Sequence, residues 1–254
     1  MNLPDLKDKI VFITGSDKGL GKTFVESFAE NKAEIISCSR KQDNEHEKFC
    51  EDLKNKYKIK IHNYYFDLEN VDEMSSNIKS ILNNFSKIDI LINNAGVNFT
   101  SLIEMTSLEK LRMIYEVNFF STYFITQKIL KLLKKSNEPS IINISSSASI
   151  ENNIGRFAYA SSKQILNSFT KTLSKEVGRY KIRVNAIAPG LTNTKMMKET
   201  TTDKNINETI KRISIARIGE PEEIAKLVLF LGSNVSSYVN GQIISIDGGL
   251  NESL

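Results

Sequence analysis

Tyr159-Ala160-Ser161-Ser162-Lys163 places more chemistry in five residues than any other stretch of this chain. On a helix, side chains four apart share a face at about 5–6 Å. A lysine so placed lowers the pKa of a phenol, near 10 when unperturbed, towards values useful for acid–base work. Tyr-x-x-x-Lys is common on helix surfaces, so the surrounding residues carry the argument. Shortly before it, Ile141-Ile142-Asn143-Ile144-Ser145-Ser146-Ser147 reads as a strand ending in hydroxyls. The carboxyl edge of an open α/β sheet is where ligands bind, and any of the three serines could present its hydroxyl there.

A second constellation lies near the amino terminus, where Ile10-Val11-Phe12-Ile13 runs into Thr14-Gly15-Ser16-Asp17-Lys18-Gly19-Leu20-Gly21 and then a helical period. Glycines permit the tight turn and let the backbone approach a pyrophosphate, whose charge meets free N–H groups at the helix start. The spacing is G-x-x-x-G-x-G rather than G-x-G-x-x-G, but its place between a first strand and a helix makes it a dinucleotide signal. A carboxylate at the end of the second strand would bind the ribose hydroxyls of NAD. That region reads Ser37-Cys38-Ser39-Arg40-Lys41, without an acid. Arg40 and Lys18 could bracket a 2′-phosphate through charge-assisted hydrogen bonds, which predicts NADP(H).

These residues need a scaffold, and the pattern supplies one. Strands are predicted at Ile10–Thr14, Glu34–Ser39, Ile59–Phe66, Ile88–Asn93, Ile141–Ser145, Arg183–Ala188 and Ile243–Ile246, alternating with helical periods such as Leu20, Phe24, Phe28 and Ile165, Phe169, Leu173, Val177. The expected fold is α/β, a single doubly wound Rossmann domain over residues 1–254, with a seven-stranded, mostly parallel sheet and helices on both faces. The four prolines fall at element boundaries. Residues 192–212, polar and rich in Lys and Thr, are expected to form a lid over the substrate.

Composition narrows the classes. The 254 residues are 25% charged and 40% hydrophobic with a net charge of +4, ordinary values for a soluble globular chain. No apolar run approaches the roughly 20 residues of a membrane helix, and MNLPDLKDK lacks a signal-peptide core, so the expectation is a cytoplasmic protein without a membrane partner. Lysines are scattered, which argues against nucleic acid. Two cysteines, Cys38 and Cys50, and two histidines, His46 and His62, offer neither metal-ligand spacing nor a Ser-His-Asp set.

Taken in order, the motifs resemble the short-chain dehydrogenase/reductase family from Lys9 to Gly249. Thr14-Gly15-x-x-x-Gly19-x-Gly21 matches its cofactor turn, Asn93-Asn94-Ala95-Gly96 the segment beside the cofactor, and Asp67-Leu68 the pair beside the adenine. Pro189-Gly190-Leu191-Thr192-Asn193-Thr194 resembles the loop that meets the nicotinamide carboxamide. Asn118, Ser146, Tyr159 and Lys163 match the catalytic tetrad, and the family's spacing to the tyrosine selects Ser146 over Ser145 and Ser147.

The resemblance implies a role for each. Tyr159 is the general acid–base, Lys163 binds the nicotinamide ribose and stabilises the tyrosinate, and Ser146 hydrogen-bonds the substrate oxygen. Asn118 holds a water that replenishes the proton, or braces a helix, or both. The cofactor set is then Gly15, Ser16, Asp17, Lys18, Gly19, Leu20, Gly21, Ser39, Arg40, Asp67, Leu68, Asn94, Ala95, Gly96, Tyr159, Lys163, Pro189, Gly190, Thr192 and Thr194, with no metal. Asp17 stands where relatives often carry a small residue, and it is expected to pair with Lys18.

Within the family, Arg217-Ile218-Gly219-Glu220-Pro221 and Asp247-Gly248-Gly249 resemble the 3-oxoacyl-acyl-carrier-protein reductase branch. The expected activity is NADP(H)-dependent reduction of a carbonyl to a secondary alcohol. The alternatives are a reductase or dehydrogenase of a sugar, polyol or other ketone, and a non-catalytic nucleotide-binding regulator. Where carrier-accepting members offer basic side chains, this chain has Asn137 and Tyr180, with Lys134, Lys135, Arg179 and Lys181 beside them. The substrate pocket is expected between the 192–212 lid and Ile150–Phe157. The resemblance also implies a homotetramer packed through helices near Leu108–Lys134 and Ala158–Val177, with Ile114, Phe120, Phe124, Phe169 and Leu173 as apolar contacts.

Overall fold

In the computed structural model, which describes residues 1–151 and 153–250, seven strands form one sheet. They are β1 (Ile10–Thr14), β2 (Glu34–Ser39), β3 (Ile61–Tyr65), β4 (Ile90–Asn93), β5 (Ser140–Ile144), β6 (Arg183–Pro189) and β7 (Ile243–Ile246). Their order is β3-β2-β1-β4-β5-β6-β7, and every neighbouring pair is parallel, so the sheet is wholly rather than mostly parallel. The order reverses between β1 and β4. Clefts for ligands open at such a reversal, off the carboxyl ends of the strands.

Parallel strands need crossovers, and these bury the sheet on both faces. One face is covered by α1 (Gly19–Glu30) and α9 (Pro221–Gly232), with Phe24, Val25 and Phe28 meeting Ile224, Val228 and Leu231 in one cluster. The other is covered by α3 (Val71–Asn84), α5 (Ser121–Leu133) and α6 (Phe157–Val177), which bring Ile78, Ile81, Ile125, Ile129, Leu173 and Val177 onto Phe12, Leu91 and Ile141. Two further helices, α2 (Asn44–Tyr57) and α4 (Leu108–Tyr115), complete the crossovers. Pro221 opens α9 at a position where its missing N–H costs nothing, and Glu220 and Glu223 close a reciprocal capping box.

The departures from the sequence pattern have local causes. Ile88 is buried but lies before the ladder, because Asp89 turns its carboxylate to accept from the Ile10 N–H at 2.9 Å and the Lys87 ammonium at 3.0 Å. The long helix expected over 108–134 is interrupted by a π-helical turn at Glu116–Phe120, which holds Asn118. The 192–212 segment is two short helices, α7 (Lys195–Thr200) and α8 (Asp203–Arg212), capped by Thr194 and Thr202, whose hydroxyls accept from the Met197 and Asn205 N–H groups. The Ile150–Phe157 segment is described except for Asn152. Ile114 and Leu173, expected at a subunit contact, are buried within the chain.

Candidate active site

Three segments converge at the carboxyl edge beside the reversal point. The glycine turn after β1 is tied to the end of β4 by Asn94, whose amide donates to the Thr14 and Gly15 carbonyls at 3.0 and 2.9 Å. The Thr14 hydroxyl accepts from the backbone N–H groups of Asn94 and Ala95. A Cβ on Gly21 would stand 1.9 Å from the Gly15 carbonyl oxygen, so only glycine lets α1 begin this close to the turn. Beneath it, Ser16, Ser37 and His46 form a buried hydroxyl–hydroxyl–imidazole chain at 2.8 and 2.9 Å. Asp17 is half-buried and makes no ion pair with Lys18 among the described residues. Its charge acts instead on buried Cys38 and His46, while Lys18 stands exposed.

A buried polar ladder fixes the strands behind the site. Asn93 donates to Thr126 of α5 and to Asn143 of β5, and Asn143 donates to Thr170 of α6, at 2.8–3.0 Å. The amide donors that find partners here are stabilising, which offsets the buried Asn93 side-chain oxygen, unpartnered at a cost of about 1–3 kcal/mol. The ladder therefore locks β4, β5 and α6 in one register. Ser145 belongs to this support: its hydroxyl donates to the Lys163 carbonyl and to Ser149. Ser146, one residue on, leads out of β5 and places its hydroxyl against the Tyr159 phenol.

Lys163 reaches back from α6 and donates to the Ile144 carbonyl at 2.8 Å. It is 4% exposed, and burial pulls its ammonium down from an ordinary 10.5 to about 8. Gly96 makes room for it: a Cβ there would lie 3.1 Å from the lysine nitrogen and 3.2 Å from the Asn118 side-chain oxygen. Asn118 is fully engaged as a brace. Its amide donates to the Val97 carbonyl and the Ser162 hydroxyl, and its oxygen accepts from the Val97 N–H. A water held here would use the main-chain carbonyl or the second lone pair of that oxygen.

Tyr159 is half-buried, and burial raises its pKa; the Ser146 hydroxyl and the Arg156 guanidinium oppose that rise. Arg156 lies with its guanidinium carbon 4.8 Å from the Tyr159 ring centroid and donates to the Thr100 hydroxyl at 2.9 Å. The motifs did not single it out, although its place three residues before Tyr159 puts it on the same helix face. The other expected cofactor residues ring the cleft. Pro189 ends β6, and the Gly190 N–H donates to the Ile246 carbonyl. Thr192 is tied to Gly190 through its hydroxyl, and Thr194 stands 3.9 Å from where a Cβ on Gly19 would be. Ser39 is buried at the end of β2, Arg40 and Lys18 are exposed, and Asp67 and Leu68 follow β3.

A family model described as an enoyl-(acyl carrier protein) reductase matches residues 15–251. The 3-oxoacyl-(acyl-carrier-protein) reductase FabG of Chlamydia muridarum is 35% identical over 96% of this chain and 98% of its own. The chain belongs to the short-chain dehydrogenase/reductase family. Another relative within it, a 3α-hydroxysteroid dehydrogenase of Mediterraneibacter gnavus, is 34% identical over 96% of this chain and 97% of its own. The L-sorbose reductase of Gluconobacter frateurii, solved with NADPH and L-sorbose, superposes over all of both chains with a TM-score of 0.90 at 26% identity.

Members of this short-chain family are oxidoreductases acting on CH–OH groups with a nicotinamide cofactor, and the cleft here fits one. The Gly21 contact keeps the start of α1 against the turn, and the missing side chain at Gly96 leaves its space to the Lys163 ammonium and the Asn118 oxygen. Among the described residues no group of His, Cys, Asp or Glu is arranged to hold a metal ion, and no helix is long and apolar enough to cross a membrane.

Proposed function

We propose that this enzyme reduces a 3-oxoacyl thioester to the 3-hydroxyacyl thioester with NADPH. The observation that carries the substrate class is an apolar rim around the mouth of the site. Ile103 and Met105 follow the loop from β4, Ile154 and Phe157 flank the start of α6, and Met196 sits on α7. All five stand exposed, Met105 at 73% and Ile154 at 88%. These segments are joined, since the Ser101 N–H donates to the Gly155 carbonyl and the Asn98 amide to the Thr200 hydroxyl of α7. An acyl chain would cover such a rim, whereas a sugar would leave it wet. We take 192–212 as the lid of one domain spanning the chain.

The exposed cations Arg40 and Lys18, with no carboxylate ending β2, support NADP(H). When bound, the cofactor supplies or accepts the hydride at the substrate carbon. Gly15–Gly21, Asn94–Gly96 and Pro189–Thr194 would hold it, with Lys163 on the ribose hydroxyls. Tyr159 gives its phenolic proton to the carbonyl oxygen, and Ser146 hydrogen-bonds that oxygen where negative charge develops. Asn118 holds the π-helical turn in place behind Lys163.

An acidic acyl carrier is supported by the surface at Tyr180, where Lys134 stands 4.0 Å and Arg179 4.8 Å from the ring centroid. A homotetramer is supported by exposed Phe120, Tyr123 and Ile165, continuous with the Phe119 and Phe169 rings at 6.0 Å. A second reading, a sugar or polyol reductase, is favoured by the buried Asn98 carbonyl oxygen, which lacks a partner and would accept from a substrate hydroxyl. NADPH consumption with an acetoacetyl pantetheine thioester, run beside NADH and a panel of ketoses and diketones, separates them. Turnover of the thioester supports the proposal; turnover of ketoses alone moves the assignment to the second reading.

A further inference from the structure

Lys163 is the cation expected to act on Tyr159, yet its ammonium is turned to the Ile144 carbonyl. The positive charge on the phenol belongs to Arg156, whose guanidinium carbon is 4.8 Å from the ring centroid. Its position is fixed from two sides. It is the N-cap residue of α6, three residues before Tyr159, and its Nη1 donates to the Thr100 hydroxyl on the loop that Gly155 also grips. Burial disfavours its charged form, and the one charge interaction that favours that form comes from Tyr159.

Resting on the reading of Tyr159 as proton donor, we propose that Arg156 is a positioning residue of this site: a second cation that stabilises the Tyr159 phenolate. When the proton leaves the phenol oxygen for the carbonyl oxygen, as hydride reaches the carbon, the ring becomes an anion. A guanidinium over an aromatic face is attracted to the neutral ring and more strongly to the phenolate. The Ser146 hydroxyl aids the same anion. The other charges around this end of α6 have their own places. Lys110 of α4 lies over the Phe99 ring at 5.2 Å, Glu151 meets Arg212 of α8 at 3.5 Å, and Lys195 of α7 meets Glu199 at 3.7 Å. Further charged groups on the neighbouring elements are Glu104 on the turn after Thr100, Glu109, Arg112 and Glu116 on α4 and the π-helical turn, and Lys198 on α7.

The test compares wild type with Arg156→Gln, Arg156→Lys and Thr100→Val, the last loosening the arginine without removing it. Two readouts are taken: the pH midpoint of kcat/KM for alcohol oxidation and for carbonyl reduction, and NMR titration of Tyr159 in cofactor-free protein carrying isotope-labelled tyrosine, assigned with Tyr159→Phe. In Arg156→Gln both kinetic midpoints move up together by about one pH unit. At the highest pH where circular dichroism still shows the native fold, ionised Tyr159 falls about tenfold. Arg156→Lys stays within a few tenths of wild type, and Thr100→Val moves in the same direction by less. A titration of Arg156→Gln that superimposes on wild type overturns the proposal, as does a change confined to KM, which would mean that Arg156 touches substrate. If Arg156→Gln does not fold, an unmoved Thr100→Val titration overturns it. If no carbonyl is turned over by wild type, the proposed function fails, and the NMR titration still decides the role of Arg156.

Discussion

Replacing Lys163 with methionine is expected to abolish turnover and, in the cofactor-free enzyme, to raise stability. The ammonium is 4% exposed and makes one hydrogen bond, to the Ile144 carbonyl. Burial lowers its pKa from 10.5 to about 8. Each pKa unit corresponds to about 1.4 kcal/mol, so keeping this charge buried at neutral pH costs about 3 kcal/mol. Methionine fills a similar volume without charge. It leaves the carbonyl without that donor, at a cost of about 1–2 kcal/mol. The net gain is about 1–2 kcal/mol, which for a chain of this size raises Tm by roughly 2–8 °C.

The pH dependence makes that test specific. Below pH about 8 the lysine is protonated folded and unfolded, so wild type bears the whole cost. Between about 8 and 10.5 the folded protein has lost the proton that the unfolded chain keeps, and wild-type stability rises with pH. Above 10.5 both states are neutral and the difference closes. Thermal melts of both proteins at several pH values across this window measure it. A variant less stable than wild type at neutral pH, or an advantage that does not shrink between pH 8 and 10.5, refutes the reasoning from burial.

Further outcomes follow from the same geometry. Arg40→Gln should weaken NADPH binding about 10–100-fold, the worth of one charge-assisted contact, while NADH binding stays unchanged in parallel fluorescence titrations. Ser146→Ala should lower kcat about 100-fold with little change in cofactor affinity, as loss of one donor to the developing oxyanion requires. The pair Lys134→Glu and Arg179→Glu should raise KM for an acyl-carrier substrate at least about tenfold and leave the pantetheine thioester unaffected, in initial-rate assays at low salt.

The elements that position the site were legible because their signals are local. The β1 and β2 runs are apolar, β-branched and bounded by turn residues, and both coincide with their strands. The glycine turn, Tyr159 and Lys163 are likewise matters of spacing. What was not legible depends on partners distant in sequence. The π-helical turn at Asn118 exists where Val97 and Ser162 draw the amide inward. The turning of Lys163 to Ile144, and the placing of Arg156 over Tyr159, depend on β5 and on Thr100. The helical character of 192–212 was hidden by its polarity: α8 buries no residue, and its apolar face is reduced to Ile206 and Ile210, one turn apart, behind the single Thr202 cap.

In the proposed reaction Tyr159 protonates a carbonyl while NADPH is consumed. The most direct test is NADPH absorbance with the acetoacetyl thioester, for wild type and Tyr159→Phe at matched, verified cofactor saturation. Rapid consumption is expected from wild type and none above background from the variant, with NADPH affinity within about twofold of wild type, since the ring is kept and one hydroxyl lost. A variant that still turns over the thioester, or that loses cofactor binding together with activity, would contradict that role of Tyr159.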